Sequence, residues 1–263
     1  MKKERADRVL ASRGLAESRQ KAQALIMAGL VFSGEQRIEK PGQMIASDQE
    51  LSLKEQIPYV GRGGLKLEEA LEAFGITVLD KVAADLGAST GGFTDCLLQK
   101  GAKMVYAVDV DTSQIDWRLR EDSRVVCIEK NARYLKKDDF AHTPGIVTAD
   151  LSFISVLKVL PAVKEFLGDG PLLSLIKPQF EAGKGQVGKK GIVRDPAIHE
   201  EVLSRTTDEA LRLGFMTRGL IKSSVRGQKG NREFFVCWSL TGEPLAADEV
   251  HRLIKEAVRN EKN

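Results

Sequence analysis

Asp85-Leu-Gly-Ala-Ser-Thr-Gly-Gly-Phe-Thr-Asp95 is the stretch on which the reading of this chain turns. It follows the apolar run Val82-Ala-Ala-Asp-Leu86, which is short enough for a buried strand, and it opens a helical pattern from Phe93 to Lys100. Strand, glycine turn and helix in that order predict a ligand crevice at the carboxyl end of a parallel sheet. Gly87, Gly91 and Gly92 permit a tight turn and let a ligand approach backbone amides with no side chain between. The spacing is not the GxGxxG dinucleotide fingerprint, nor is it a P-loop, because no Gly-Lys-Ser/Thr follows. Asp85 sits just ahead of the glycines, where a carboxylate suits a cationic group better than a pyrophosphate.

Outward from this turn the same pattern repeats. Met104-Val-Tyr-Ala-Val-Asp109, Val125-Val-Cys-Ile128, Gly145-Ile-Val-Thr-Ala-Asp150 and Pro171-Leu-Leu-Ser-Leu-Ile-Lys177 are short apolar strands separated by helical segments. They predict an α/β fold: a Rossmann-like, largely parallel sheet with helices on both faces. Asp109 ends the second of these strands, where a carboxylate can accept both ribose hydroxyls of an adenosine. Asp111 in the next loop is the alternative, and a packing turn beside solvated acids is the simpler reading. Farther on, a helix is expected over 199–213. Gly219-Leu-Ile-Lys222 and Glu233-Phe-Phe-Val-Cys-Trp-Ser-Leu240 are then expected as an antiparallel edge hairpin, and Ala247 to Arg259 as a closing polar helix.

Before the sheet, residues 5–29 read as two short helices, with Ser18 a plausible N-cap of the second and Gly29 its stop. Short strand and turn signals follow, giving a module over 1–58 and a catalytic-sized domain over 59–263, with 59–64 as linker. Leu67, Ala70, Leu71 and Phe74 form the apolar stripe of a helix just after that linker. Gly183 to Arg194 is glycine-rich and basic, the pattern of a loop.

Composition narrows the class. Apolar residues make up 42% of the 263 and the formal net charge is +3, so the chain can build a core and its total charge says little about partners. Cys96, Cys127 and Cys237 are far apart in apolar surroundings, with no CxxC pair and only three histidines. They read as buried free thiols rather than metal ligands, so no metal site is expected. No signal peptide or membrane-length apolar run is seen, so a cytoplasmic protein is expected.

Two charged residues complete apolar strands, Asp150 and Lys177; Glu233 begins another, and Lys66 lies in the helix after the domain boundary. Each alone reads first as an exposed charge. Gathered at the crevice, two lysines and two acids would form a proton-handling site. Lys177 is the candidate base and Asp150 its orienting carboxylate, with Lys66 and Glu233 positioning the group.

The catalytic part resembles the FtsJ-like RNA ribose methyltransferases, and the whole chain is similar to the TlyA family, long labelled hemolysins. The resemblance rests on Tyr59-Val-Gly-Arg-Gly-Gly-Leu-Lys66, the Asp85 to Asp95 motif, Asp150-Leu-Ser-Phe153, Lys177-Pro-Gln-Phe-Glu181 and Gly230-Asn-Arg-Glu-Phe-Phe235, preceded by an S4-like module at roughly 3–60. It implies a Lys-Asp-Lys-Glu tetrad at Lys66, Asp150, Lys177 and Glu233. It also implies S-adenosylmethionine as methyl donor and 2′-O-methylation of cytidine in ribosomal RNA, of the large subunit alone or of both subunits, so that ribosomal RNA or ribosomal subunits are the expected partners. The cofactor pocket is then expected to use Asp85, Gly87, Ala88, Ser89, Gly91, Gly92, Phe93, Asp109, Val110, Asn131 and Asp150.

An S4 fold binds structured RNA with its two helices, which makes Arg5, Arg8, Arg13, Arg19 and Lys21 the expected contacts, chiefly to phosphates. Arg62, Lys184, Lys189, Lys190, Arg226, Lys229 and Arg232 would extend that surface. Two positions depart from the family pattern. Glu129-Lys-Asn131 is one residue shorter than usual and lacks a threonine, and Asp111 stands where relatives tend to have glycine. No membrane or obligate protein partner is expected. The competing readings are an RNA-binding or ribosome-assembly protein that has lost its chemistry, and a methyltransferase of another structured RNA.

Overall fold

The computed structural model describes residues 3–27, 29–53, 57–183, 185–188 and 190–259. The chain divides into two compact units, residues 1–58 and 59–263.

In the first unit, β1 (Lys3–Arg5) leads into α1 (Ala6–Ser12) and α2 (Arg19–Met27). Four short strands follow: β2 (Val31–Ser33), β3 (Gln36–Arg37), β4 (Met44–Ala46) and β5 (Ser52–Leu53). Ser18 caps α2, its Oγ accepting the Lys21 amide at 3.1 Å. The two helices bury Val9, Leu10, Ala22 and Ile26 against Val31, Ile38 and Ile45. At their junction Asp7 is fully buried, and a buried carboxylate must be paired. It accepts from Arg5 at 3.1 and 3.0 Å, Arg19 at 3.0 Å and Gln23 at 2.8 Å. The Arg5 guanidinium chiefly holds its pKa well below the usual carboxylate range, against the cost of burial. Arg13 donates to the backbone carbonyls of Ser47 and Gln49. Three arginines expected to face RNA therefore have internal partners, while Arg8 and Lys21 are exposed with open side chains.

The second unit begins with α3 (Gly63–Ala73), then β6 (Val82–Leu86), α4 (Gly92–Gln99), β7 (Met104–Asp109), α5 (Trp117–Arg120) and β8 (Val125–Glu129). It continues with β9 (Ile146–Ala149), α6 (Leu160–Phe166), β10 (Leu172–Ile176), α7 (Pro178–Glu181), α8 (Pro196–Arg212), β11 (Met216–Lys222), β12 (Phe234–Ser239) and α9 (Ala247–Arg259). These strands form one seven-stranded sheet in the order β11-β12-β10-β9-β6-β7-β8. β6 through β10 run parallel, and β12 is antiparallel to both of its neighbours.

The expected hairpin of β11 and β12 forms, but only β11 is an edge. β12 is inserted between β11 and β10, and its Phe234 to Trp238 are buried as a central strand demands. Side chains alternate along the strands. Ala84, Leu86, Tyr106 and Val108 face a core with α6, α8 and α9, whereas Ala83, Val105 and Ala107 face one with α3 and α4. α8 starts three residues earlier than the apolar period suggested, because Asp195 caps it through the Ala197 amide and Pro196 stands in its first turn. The polar helix α9 buries Ile254, Ala257 and Val258 in its own unit, and no described helix is long and apolar enough to cross a membrane.

Cys96 and Cys237 are buried, but Cys127 is exposed, which corrects the expectation of three buried thiols. It lies on β8, the other edge of the sheet, where the path to β9 carries 3-10 turns and no long helix covers the strand.

Candidate active site

Strand register lines up the candidate residues. Leu86 pairs with Ala149, Ala149 with Ser174, and Ile176 with Phe234. Gly87, Asp150, Lys177 and Glu233, each one residue beyond its strand, therefore emerge along one edge of the sheet. That edge includes the switch point, since β6 pairs with β7 on one side and β9 on the other. Because β12 runs backwards, its beginning rather than its end reaches this edge, which is how Glu233 joins the site.

Lys66, in the first turns of α3, meets Glu233 at 2.6 Å across 167 residues of chain. Their side chains are only 10% and 3% exposed, so this is a buried ion pair. The reading of each as an ordinary surface charge is thereby corrected. Lys177 Nζ lies 2.7 Å from Asp150 Oδ1 and donates to Ser152 Oγ at 3.0 Å. Both pairs line one cavity of about 310 Å³, together with Arg62, Ala88, Gly92, Phe93 and Arg226. A second cavity of about 690 Å³ is lined by Asp109, Val110 and Asn131. The two share Gly87, Ser89, Asp150, Ser152 and Phe153, which mark the passage between them.

The glycine turn is built for close approach. Gly87 has φ +83°, and a Cβ there would fall 2.7 Å from the Asp150 carbonyl oxygen. Asp109 is held by the turn itself, accepting the Ser89 amide at 2.8 Å and the Asp111 amide at 3.2 Å. The Asn131 side-chain oxygen accepts the Arg133 amide at 3.0 Å, so in the shortened segment it caps a turn at the cavity wall. Asp111 is occupied with Ser113 and Gln114 and does not line the cavity.

Two residues of the expected cofactor set line neither cavity. Gly91 serves the turn, with φ +96°. Asp85 is fully buried, accepting from Thr94 at 2.8 Å and Thr148 at 3.0 Å. Its carboxylate thus faces the sheet interior, which corrects the expectation of direct contact with a cationic ligand. Burial pushes its pKa up to about 7, against the two threonine hydroxyls and with a further push from Asp150.

Between an unfolded value of about 4 and that folded value, the folded chain keeps a proton that the unfolded chain has lost. Stability is therefore greatest below the lower value and falls as pH rises to the upper one. Asp85→Asn should remove the loss, which is at most about 4 kcal/mol. Thermal melts are expected to show the variant gaining on wild type between pH 5 and pH 8, and parallel curves would reject the assignment.

Of the outlying cations, Arg62 and Arg226 line the smaller cavity. Lys190 and Lys229 are exposed and Arg232 is half-buried, while Lys184 and Lys189 lie outside the described residues. Sequence reasoning passed over Ser152, Phe153, Gln179 and Phe180, which also line the cavity. They stand inside the two quoted motifs, but attention to charge alone bypassed them. Phe153 is 90% exposed at φ +64°, its ring 5.0 Å from that of Phe180.

A seven-stranded sheet with one antiparallel strand beside its edge, and a lysine–acid site next to a glycine turn, define a Rossmann-like methyltransferase that uses S-adenosylmethionine. The chain belongs to the FtsJ-like methyltransferase family, whose model matches residues 59–240, and it carries an S4 domain matched over residues 4–51. A Bacillus subtilis protein provisionally named an rRNA methyltransferase, YqxC, is 48% identical over 97% of this chain and 94% of its own length. The 16S/23S rRNA (cytidine-2'-O)-methyltransferase TlyA of Mycobacterium tuberculosis is 42% identical over 96% of this chain and 97% of its own. A solved structure from Streptococcus thermophilus, provisionally described as a hemolysin, superposes with a TM-score of 0.75 at 45% identity, covering 98% of this chain and 96% of that one.

Proposed function

We propose that this enzyme methylates the ribose 2′-hydroxyl of cytidine in ribosomal RNA, with Lys177 as the base. The observation that carries the reading is the arrangement of two lysine–acid pairs around one cavity, which opens past Gly87 and Ser89 into a second cavity ending at Asp109.

The residues present fit the cofactor. The bare Gly87 turn leaves room at the passage, and the Asp109 carboxylate, fixed by two amides, keeps lone pairs for ribose hydroxyls. S-adenosylmethionine, when bound, supplies an electrophilic methyl group on a positively charged sulfur. The protein must then hold a sugar hydroxyl in line and remove its proton. Lys177, once neutral, takes that proton on Nζ, and Asp150 holds the resulting ammonium. Lys66 is balanced by Glu233, so the positive charge of the cavity wall where anionic RNA must enter comes from Arg62 and Arg226. Phe153 offers an exposed ring on which a base can stack. A ribosomal substrate implies work in the cytoplasm.

The direct test is incubation with labelled methyl donor and separated ribosomal subunits from a strain lacking the enzyme, followed by nucleotide mapping. Label on a cytidine ribose is expected; label on a base, or none, would overturn the reading. The S4 domain supports phosphate binding through its open cations. Arg8→Ala with Lys21→Ala should weaken RNA binding at every sequence and lower the salt dependence of log K by about 2. Arg13→Ala should cost mainly stability, because its guanidinium holds the Ser47 and Gln49 carbonyls. Titrations at several salt concentrations, with melting curves, separate the two effects.

A further inference from the structure

We propose that Ser152 is a positioning residue for methyl transfer, aiming the lone pair of Lys177 at the passage between the two cavities. The inference rests on the reading of Lys177 as base. A neutral amine has two N–H bonds and one lone pair, disposed tetrahedrally. Ser152 Oγ accepts one N–H at 3.0 Å, and the Asp150 carboxylate, whose Oδ1 lies 2.7 Å away outside hydrogen-bond geometry, draws the second N–H rather than the lone pair toward its charge. With one N–H fixed on Ser152 and the other drawn to the carboxylate, the lone pair is left the direction away from the 150–152 loop, on the side of the cavity that Lys177 lines. Asp150 alone would leave Nζ free to turn about its last bond, and the lone pair would point at the ribose hydroxyl only part of the time.

The fold builds this arrangement. Ser152 borders both cavities, so the amine it holds, in the smaller one, stands beside the passage that the methyl must cross to reach the sugar oxygen. The loop is tied down beyond it, the Val156 amide donating to buried Glu181 at 2.8 Å. Glu181 belongs to α7, which begins immediately after Lys177, so base and hydroxyl are anchored to the same short segment. In the step itself the ribose O–H bond breaks and its proton goes to the Nζ lone pair, while the oxygen takes the methyl, whose bond to the donor's sulfur breaks and leaves its electron pair on that sulfur. Ser152 keeps accepting an N–H of the ammonium that results.

The test is single-turnover transfer to ribosomal RNA at saturating donor, with RNA affinity and S-adenosylhomocysteine binding measured alongside. Loss of one hydrogen bond to a charged group predicts a rate about tenfold lower for Ser152→Ala. Both binding constants and the melting temperature should stay at wild-type values. Ser152→Thr, which keeps the hydroxyl, should recover most of the rate. In a Lys177→Met background, Ser152→Ala should have no further effect, because nothing remains to be aimed. A wild-type rate for Ser152→Ala, or an undiminished tenfold effect on top of Lys177→Met, overturns the inference and leaves the proposed function standing. Absence of ribose methylation by the wild-type enzyme overturns both.

Discussion

Lys177→Met should lower the single-turnover rate of methyl transfer by about 10²- to 10⁴-fold, the range in which a positioned general base contributes. Methionine keeps much of the side chain's length and packing but has no lone pair able to take the sugar proton. Lys177→Arg is expected to be nearly as damaging, because a guanidinium stays charged at any working pH and cannot act as base. Asp150 would still have a cation beside it in that variant, so a loss of rate isolates proton acceptance from charge. Binding of S-adenosylhomocysteine and of RNA should change little for Lys177→Met, since the larger cavity, with Asp109 and the Ser89 amide, is untouched. A Lys177→Met rate within about threefold of wild type would remove the base from the mechanism, as that is far below the expected contribution.

The second large effect concerns stability. Lys66→Met should destabilise the protein by about 3 to 5 kcal/mol, because it leaves the Glu233 carboxylate buried without its partner. Glu233→Gln should cost a similar amount by stranding the ammonium. The double variant Lys66→Met/Glu233→Gln has no net charge to bury and should return to within about 1 kcal/mol of wild type. It should not regain activity, because both charged groups of the pair that lines the cavity are gone. Denaturant titrations and single-turnover rates on the same four proteins decide this. Single-variant losses that simply add in the double would show that the pair is not coupled, contrary to its 2.6 Å contact.

The parts legible in the sequence were the local ones. β6, β7, β9 and β10 are each a short apolar run bounded by turn residues, so their positions followed from burial on both faces. The Asp85 to Asp95 turn could be placed because positive φ at Gly87 and Gly91 is a demand glycine meets by itself. Lys177 drew attention because a lysine ending an apolar strand has few reasons to be there. The family resemblance joined Lys66 and Glu233 to the site, but no spacing in the chain does.

Direction and partnership were not legible. Arg5 and Arg19 look the same in sequence whether they face phosphates or a buried Asp7, and only the fold brings Asp7 between them. Asp85 could have faced a ligand or the core; Thr94 and Thr148, 9 and 63 residues away, turn it inward. Cys127 lies in an apolar run like those of its neighbours, and its exposure follows from β8 being the last strand of the sheet.

Apolar periodicity, glycine placement and the residue types at strand ends determined, on their own, a parallel sheet with a ligand turn after β6. Tertiary structure alone decided that β12 enters between β10 and β11 and so carries Glu233 to Lys66. It also decided that Ser152 reaches the amine of Lys177. Periodicity is a property of neighbours along the chain, whereas an ion pair closed over 167 residues depends on how separate elements pack, and no local pattern encodes that.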